Sequence, residues 1–226
     1  MSTLSTSSHV ARPATARRSL LWLVGAFAST ALVARWEQSV DASSAVDRSL
    51  SFVHCVVVPL LAFAFVRNES EGRNLREIAR PLVRYGADRR TAAARALSIS
   101  GARLLVASLL LTWLALGITH GARGALLGAD LLATTPITCF AALTYTAVFA
   151  AAATWGRTGA GSLWVLLYDW VLGSLPLPIA WLTPRGHLRH LLGFEVASGL
   201  PQWASFPALA LFLLLAAFVL AWRVPR

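Results

Sequence analysis

Asp169 is the acidic residue whose position points most clearly to chemistry. It lies inside the apolar run LWVLLYDWVLGSLPLPIAW, which is long enough to cross a membrane. A carboxylate in a bilayer costs at least about 2–3 kcal/mol, so it should face a bundle interior or a wet path. We predict that Asp169 and Tyr168 belong to a substrate path or gate; the alternative is a structural hydrogen bond to Tyr168, Ser174 or a neighbouring helix. Pro176 and Pro178 predict a break near the end of this helix and join the same path.

A pair of histidines has the spacing of metal ligands. His187 and His190 stand at i and i+3, and Glu195 follows nearby. No motif fixes the remaining ligands, and histidine is ordinary at a membrane edge. We predict no metal site, and a membrane-embedded metalloenzyme stays open as an alternative.

The basic residues exclude several kinds of enzyme. All twenty are arginine, so the chain has no lysine. A nucleotide-binding loop of the G-x-x-x-x-G-K-[ST] type and a Schiff base both need lysine. No G-x-S-x-G nucleophile motif is present either. We therefore predict that the chain is not an enzyme and holds no cofactor, and that any ATP and Mg would be bound by another subunit.

One long polar segment interrupts an otherwise apolar chain. It runs from Val66 to Arg103 and holds nine of the twenty arginines. From Asn74 onward, apolar residues fall on one face of a predicted helix and arginines on another, which makes the helix amphipathic. The arginine face is formed by Arg76, Arg80 and Arg84.

The second half of this segment predicts a turn and a long helix. Gly86 suits a helix end, and Asp88 can cap the helix that follows. The helical pattern then continues from Arg89 to Thr119, which is 31 residues or about 46 Å. Because this exceeds the roughly 30 Å hydrocarbon core, the arginine end should project from the membrane.

Composition indicates an all-α integral membrane protein. The chain is 57% hydrophobic and 13% charged, against about 25% charged in soluble domains. Residues 1–19 are predicted to be a disordered cytoplasmic tail, and residues 20–226 a single domain of six transmembrane helices. The net charge of +10 does not favour nucleic-acid binding, since the arginines lie between or beside apolar runs. The six runs are Leu20–Ala34, Leu50–Val66, Leu97–Ile118, Leu131–Trp155, Gly161–Leu182 and Trp203–Trp222.

The distribution of arginine predicts the orientation. With the N-terminus inside, fourteen arginines fall in the inner segments and five in the outer loops. Both termini are therefore predicted to be cytoplasmic. The part of the polar segment that connects the second and third spans, residues 67–96, is then also predicted to be cytoplasmic. Between the fifth and sixth spans, 183–202 is predicted to form short helices that dip back into the outer interface.

These features resemble the permease subunits of type-2 ABC exporters, and we predict that the chain is a multi-pass protein of a bacterial inner membrane. The likeness is carried by LREIARPLVRYGADRRTAAARAL, residues 75–97, and especially by its RYGADRR portion. A second local likeness is LTPRGHLRHLLG, residues 182–193, which leads into the outer hairpin. The resemblance implies six spans, an amphipathic coupling helix between the second and third, and a short re-entrant hairpin before the sixth.

The resemblance also implies partners and a role. A homodimer, or a pair with a related permease, would form the substrate path, and separate ATPase subunits would drive it through the coupling helix. The alternative is a non-transporting membrane scaffold or assembly factor whose arginine-rich loop binds lipid or a cytoplasmic partner. The residues expected to contact the ATPase are Arg76, Glu77, Arg80, Arg84, Tyr85, Gly86, Asp88, Arg89 and Arg90.

Overall fold

The fold is helical throughout the part of the chain that the structure describes. The computed structural model describes residues 12–70, 73–76, 89–121, 126–156, 158–194 and 200–224. Of these residues, 85% are helical and none lies in a strand. This confirms the all-α prediction for the described part of the chain.

Seven α-helices are described, and five of them are long and apolar enough to cross a membrane. We number them α1 to α7 in chain order. The helices are α1 Arg12–Val40, α2 Ala45–Glu69, α3 Arg89–His120, α4 Leu127–Ala152, α5 Gly161–Leu172, α6 Pro184–Leu191 and α7 Ser205–Arg223. Two 3₁₀ turns, Pro178–Leu182 and Gln202–Ala204, precede α6 and α7. Helices α1, α2, α3, α4 and α7 are the five of spanning length, so the chain has the character of a multi-pass membrane protein.

The predicted fifth run, Gly161–Leu182, is not one continuous helix. Its α-helical part, α5, ends at Leu172 after 12 residues, or about 18 Å, which is shorter than the hydrocarbon core. The break after Asp169 is confirmed, but it begins at Gly173, before either proline. A sixth span stays a prediction.

Both ends of α3 agree with the sequence pattern, whereas the start of α1 differs from it. Helix α3 has 32 residues and is about 48 Å long, which confirms the predicted long helix. Helix α1 begins at Arg12, so residues 12–19 of the predicted disordered tail are helical.

A π-helical turn lies inside α2. Pro59 has no backbone N–H to give to the carbonyl four residues earlier, and its ring crowds that carbonyl. The turn Val53–Val57 widens accordingly, and the N–H of Val58 bonds to the carbonyl of Val53, five residues back. This turn places His54 and Cys55 in the centre of the bundle, where both are fully buried.

Helix α2 forms the centre of the bundle, and α1 and α7 form its periphery. In their apolar windows 72% of α2 is buried, against 17% of α1 and of α7. Small residues let α3 and α4 approach closely, and Gly101 lies against the Thr146 side chain. Exposed leucine and tryptophan cover the outer helices, as suits a lipid-facing surface.

The helices alternate in direction, which gives the bundle two ends. We call one of them the near end; it holds the start of α1 and the ends of α2, α4 and α7. Asn74 and Arg90 also lie at this end, where they bond to the chain after α4 and after α7. The far end holds the connection α1–α2, with the Arg48–Glu37 ion pair at 3.2 Å, and the end of α3 and the start of α4, where His120 and Asp130 are hydrogen-bonded at 2.7 Å.

Candidate functional site

Residues 73–76 of the polar segment are hydrogen-bonded to the chain immediately after the near end of α4. The Asn74 side-chain amide donates to the carbonyl oxygens of Thr154 at 3.1 Å and Gly156 at 2.6 Å. The backbone N–H of Leu75 donates to the carbonyl of Ala153 at 3.2 Å, and Leu75 is buried. These bonds satisfy carbonyls that follow the last residue of α4, where no further helical turn supplies their donors.

Two arginines of the segment bind the end of α7. Arg76 Nε donates to the carbonyl of Arg223 at 2.8 Å. Arg90 Nε and Nη2 donate to the carbonyls of Val224 at 3.1 Å and Ala221 at 2.9 Å. Guanidinium groups at a helix C-terminus fill its open carbonyls and oppose the negative end of its dipole. We call Asn74, Leu75, Arg76 and Arg90 the helix-end clamp.

The loop after α4 is shaped to admit the clamp. Gly159 has φ +64°, and a Cβ there would lie 2.9 Å from the carbonyl oxygen of Arg73. A side chain at this position would meet both an unfavourable backbone conformation and a fixed backbone atom. Glycine is therefore required where the chain before Asn74 crosses the loop.

Two of the residues predicted to contact an ATPase belong to the helix-end clamp. Arg76 and Arg90 bind the chain's own carbonyls, and both remain exposed. Arg89 is the first residue of α3, and its side chain is outside the described part. The other predicted contacts also lie outside the described residues: Glu77, Arg80, Arg84, Tyr85, Gly86 and Asp88.

Asp169 is buried and hydrogen-bonded on both carboxylate oxygens. The Tyr145 hydroxyl of α4 donates to Oδ2 at 2.9 Å, and the Arg185 backbone N–H donates to Oδ1 at 3.0 Å. Arg185 lies in the first turn of α6, where Thr183 caps the helix by accepting from the Gly186 N–H at 3.1 Å. The carboxylate thus joins α5, α4 and the positive end of α6.

The other predicted path residues lie elsewhere. Tyr168 is 44% exposed, and Ser174 donates to the carbonyl of Trp170 rather than to Asp169. Pro176 and Pro178 are exposed in the connection to α6. The sequence left three possible hydrogen-bond partners for Asp169: Tyr168, Ser174 or a neighbouring helix. The structure shows the third, because the bond comes from Tyr145 on α4.

A buried chain of polar groups near the π turn was not anticipated. His54 Nδ1 lies 2.8 Å from the Leu50 carbonyl, and Nε2 lies 2.9 Å from the Thr138 hydroxyl. The Thr112 hydroxyl is 3.2 Å from that of Thr138. Since the carbonyl can only accept, a neutral His54 carries its proton on Nδ1, and its Nε2 faces a Thr138 hydroxyl that also donates to the Thr134 carbonyl at 2.9 Å. In the sequence, the only sign of this chain of groups is the threonines in the apolar runs of α3 and α4. Such a hydroxyl can equally bond to a carbonyl of its own helix, so it does not by itself predict a contact between helices.

The predicted histidine pair shares one serine. His187 Nδ1 and His190 Nδ1 lie 3.3 and 3.0 Å from the Ser205 hydroxyl at the start of α7. His187 Nε2 donates to the Trp181 carbonyl at 2.9 Å. A neutral His187 then accepts from Ser205, which in turn accepts from His190. Within the described residues no group of three His, Cys, Asp or Glu side chains could hold a metal, and Glu195 lies outside them.

Acid should loosen this link between α6 and α7. Burial lowers the pKa of His187 from its usual 6.5. Below about pH 6.5 an unfolded chain then binds a proton more readily than the folded one, so stability is full above this pH and falls beneath it. We expect the thermal midpoint in detergent to fall by a few degrees between pH 7.5 and pH 5.5, and the His187→Gln variant to show a shallower fall. Equal slopes for the two proteins would contradict this.

Comparisons with protein-family models, curated proteins and solved structures found no match to this chain. The site is therefore interpreted from its own geometry.

Proposed function

We propose that this chain is the membrane-spanning permease subunit of an ATP-driven exporter. It forms the substrate path as a dimer with itself or a related permease. A separate ATPase subunit binds ATP and Mg and drives it from the cytoplasmic side of a bacterial inner membrane. The near end of the bundle is the cytoplasmic end in this proposal, as the arginine bias predicts.

The observation that carries the proposal is the helix-end clamp. It ties the segment between α2 and α3 to the ends of α4 and α7 through hydrogen bonds of 2.6 to 3.2 Å. A partner that displaced this segment would therefore move the ends of two spans that are distant in sequence. Helix α3 continues directly from Arg90 and adds a rigid rod about 48 Å long.

The mechanism follows from that connection. The ATPase would dock on residues 67–96, and its closure on ATP would push the clamp. Motion of α3, α4 and α7 as rigid bodies would open the path at the dimer interface. Helix α5 would form the fifth of the six spans, and the short helix α6 would belong to the re-entrant hairpin that precedes α7. Asp169 would transmit movement of α4 to that hairpin, which makes it a gating residue without contact with substrate.

A non-transporting scaffold or assembly factor is the second candidate. Exposed arginines at the near end favour it, since the same surface suits lipid headgroups or a cytoplasmic partner. In that case the clamp would only stabilise the bundle.

Affinity capture distinguishes the two candidates. The chain is solubilised in mild detergent, captured through an affinity tag, and the associated proteins are identified. We expect an ATPase subunit in stoichiometric amount, and ATP turnover by the captured complex. Capture without any ATPase, from cells in which the chain is stably inserted, would contradict the exporter and favour the scaffold.

A further inference from the structure

The near end of the bundle marks one edge of the membrane core. Charged residues return there in α2 and α7, at Arg67 and Arg223, after apolar stretches of spanning length. Helix α5 starts at the same level, because a Cβ on its first residue, Gly161, would meet the carbonyl oxygen of Ala152 at the end of α4. Depth in the core is therefore counted along α5 from Gly161.

Helix α6 begins near the middle of this core. Its second residue, Arg185, donates its backbone N–H to Asp169, which lies eight residues, or about 12 Å, beyond Gly161. Tyr145, the other partner of Asp169, lies about 10 Å from the end of α4 by the same rise per residue. The hydrocarbon core is roughly 30 Å thick, so both measures place the start of α6 well inside it.

Contacts hold the guanidinium groups of Arg185 and Arg189 at this depth. Cζ of Arg185 lies 6.0 Å from the ring centroid of Trp170, in a cation–π contact. Nη1 of Arg189, one turn further along α6, donates to the carbonyl oxygens of Gly173 at 3.3 Å and Ser174 at 2.8 Å. A snorkelling arginine would extend to the membrane surface instead. The two cations therefore stay beside the end of α5, within the apolar layer.

Arg185 is the cation of this pair that lacks a counter-charge. Its Nε is buried and bonds to no acceptor, and its guanidinium forms no ion pair with an acid of the described residues. Both oxygens of Asp169 already accept, from Tyr145 and from the Arg185 backbone. With Arg189 included, two arginines and one aspartate leave this part of the core positive. A cation in hydrocarbon is costly, so it pairs with an anion or lines a wet path.

We propose that Arg185 binds the anionic group, a phosphate or a carboxylate, of an amphipathic substrate that passes through the membrane. The proposal rests on the exporter function and narrows its substrate class. The guanidinium carries five N–H donors in a fork, and two of them fit the oxygens of a phosphate or carboxylate. The Arg185 side chain is only half-buried, which leaves it open to a ligand at the surface of the bundle. A free inorganic anion would shed its water to reach this depth, whereas an apolar tail favours entry.

Equilibrium binding of tritiated dodecyl phosphate to the purified full chain in maltoside detergent tests the proposal. We expect saturable binding, displaced by unlabelled dodecyl phosphate or laurate but not by dodecyltrimethylammonium or inorganic phosphate. Arg185→Gln should weaken the affinity about tenfold, because it removes the charge and part of the donor fork. Arg185→Lys keeps the charge and should weaken it less. Arg48→Gln is the matched control, since Arg48 is exposed at the far end, and it should bind as the parent does.

Two results would overturn the proposal. One is equal affinity in the parent and Arg185→Gln. The other is equal displacement by dodecyl phosphate and dodecyltrimethylammonium, a comparison that needs only the parent and so holds even where the variant does not fold. Displacement by inorganic phosphate at the same concentration would overturn the assignment to an amphipathic molecule.

The proposal and the exporter function fail separately, because binding is measured without any ATPase. Saturable, Arg185-dependent binding by a chain that captures no ATPase would keep the anion site and remove the exporter. Capture of an ATPase by a chain that does not bind dodecyl phosphate would keep the exporter and remove the anion site.

Discussion

Replacing Asp169 by leucine is expected to destabilise the protein by about 4 kcal/mol. The substitution leaves the Tyr145 hydroxyl and the Arg185 N–H buried without an acceptor, at about 1–3 kcal/mol each. Leucine also removes the expense of burying a carboxylate, which opposes the loss. The loss dominates because Asp169 and Tyr145 are each only 1% exposed, so the Tyr145 hydroxyl is left without water as a substitute acceptor. For a chain of this size the thermal midpoint should fall by about 10 °C.

A graded series makes this prediction specific. Asp169→Asn keeps one acceptor oxygen, so we expect it to fall between the parent and the leucine variant. Tyr168→Phe is the neighbouring control and should change stability by less than about 0.5 kcal/mol. Tyr145→Phe combined with Asp169→Asn should be clearly non-additive, since both act on one hydrogen bond. A leucine variant as stable as the parent would refute the network.

If the exporter proposal is correct, reversing two arginine charges should abolish partner-stimulated ATP turnover. In Arg84→Glu with Arg89→Glu, a docking surface that attracts acidic groups on the ATPase would repel them, which costs several kcal/mol. Glutamate at the start of α3 is compatible with the helix dipole, so this change should not prevent helix formation. ATP hydrolysis is measured with the ATPase subunit in proteoliposomes, where turnover should fall to the rate of the ATPase alone.

The control for charge reversal lies at the other end of the bundle. Arg35→Glu with Arg48→Glu changes the net charge equally but affects only the far end. This variant should insert and retain stimulated turnover. Unchanged turnover in Arg84→Glu with Arg89→Glu, with insertion intact, would favour the scaffold instead.

The sequence predicts the long helices better than their interruptions. An apolar run is enough to indicate helices such as α3 and α4, because a bilayer leaves the backbone few alternatives. Hydropathy does not mark where a helix stops inside an apolar run. Gly161–Leu182 looks like one span, yet α5 ends at Leu172. The tight approach at Gly173, where a Cβ would lie 2.7 Å from the Arg185 Cβ, depends on tertiary packing that composition cannot encode.

The polar contacts were harder to predict than the helices for a related reason. Asp169 was identified because a carboxylate in an apolar run stands out. Its partner Tyr145 is 24 residues away on another helix. A tyrosine does not stand out in an apolar run as a carboxylate does, so the sequence did not mark it as the partner. Arg76 was identified by its spacing from Arg80 and Arg84, and Arg90 by the family resemblance, but the acceptors of both are backbone carbonyls. Every residue has such a carbonyl, so the sequence gives no signal of which ones Arg76 and Arg90 contact.

The helix-end clamp also has a consequence for biosynthesis. Arg76 and the carbonyl it binds are 147 residues apart, and for Arg90 the separations are 131 and 134 residues. A ribosome adds residues in order, so both guanidinium groups wait through the insertion of α3, α4 and α5 before their acceptors exist. Closure of the bundle is therefore a late event that reports completion of α7. Until then both guanidinium groups hydrogen-bond to water instead of to the end of α7.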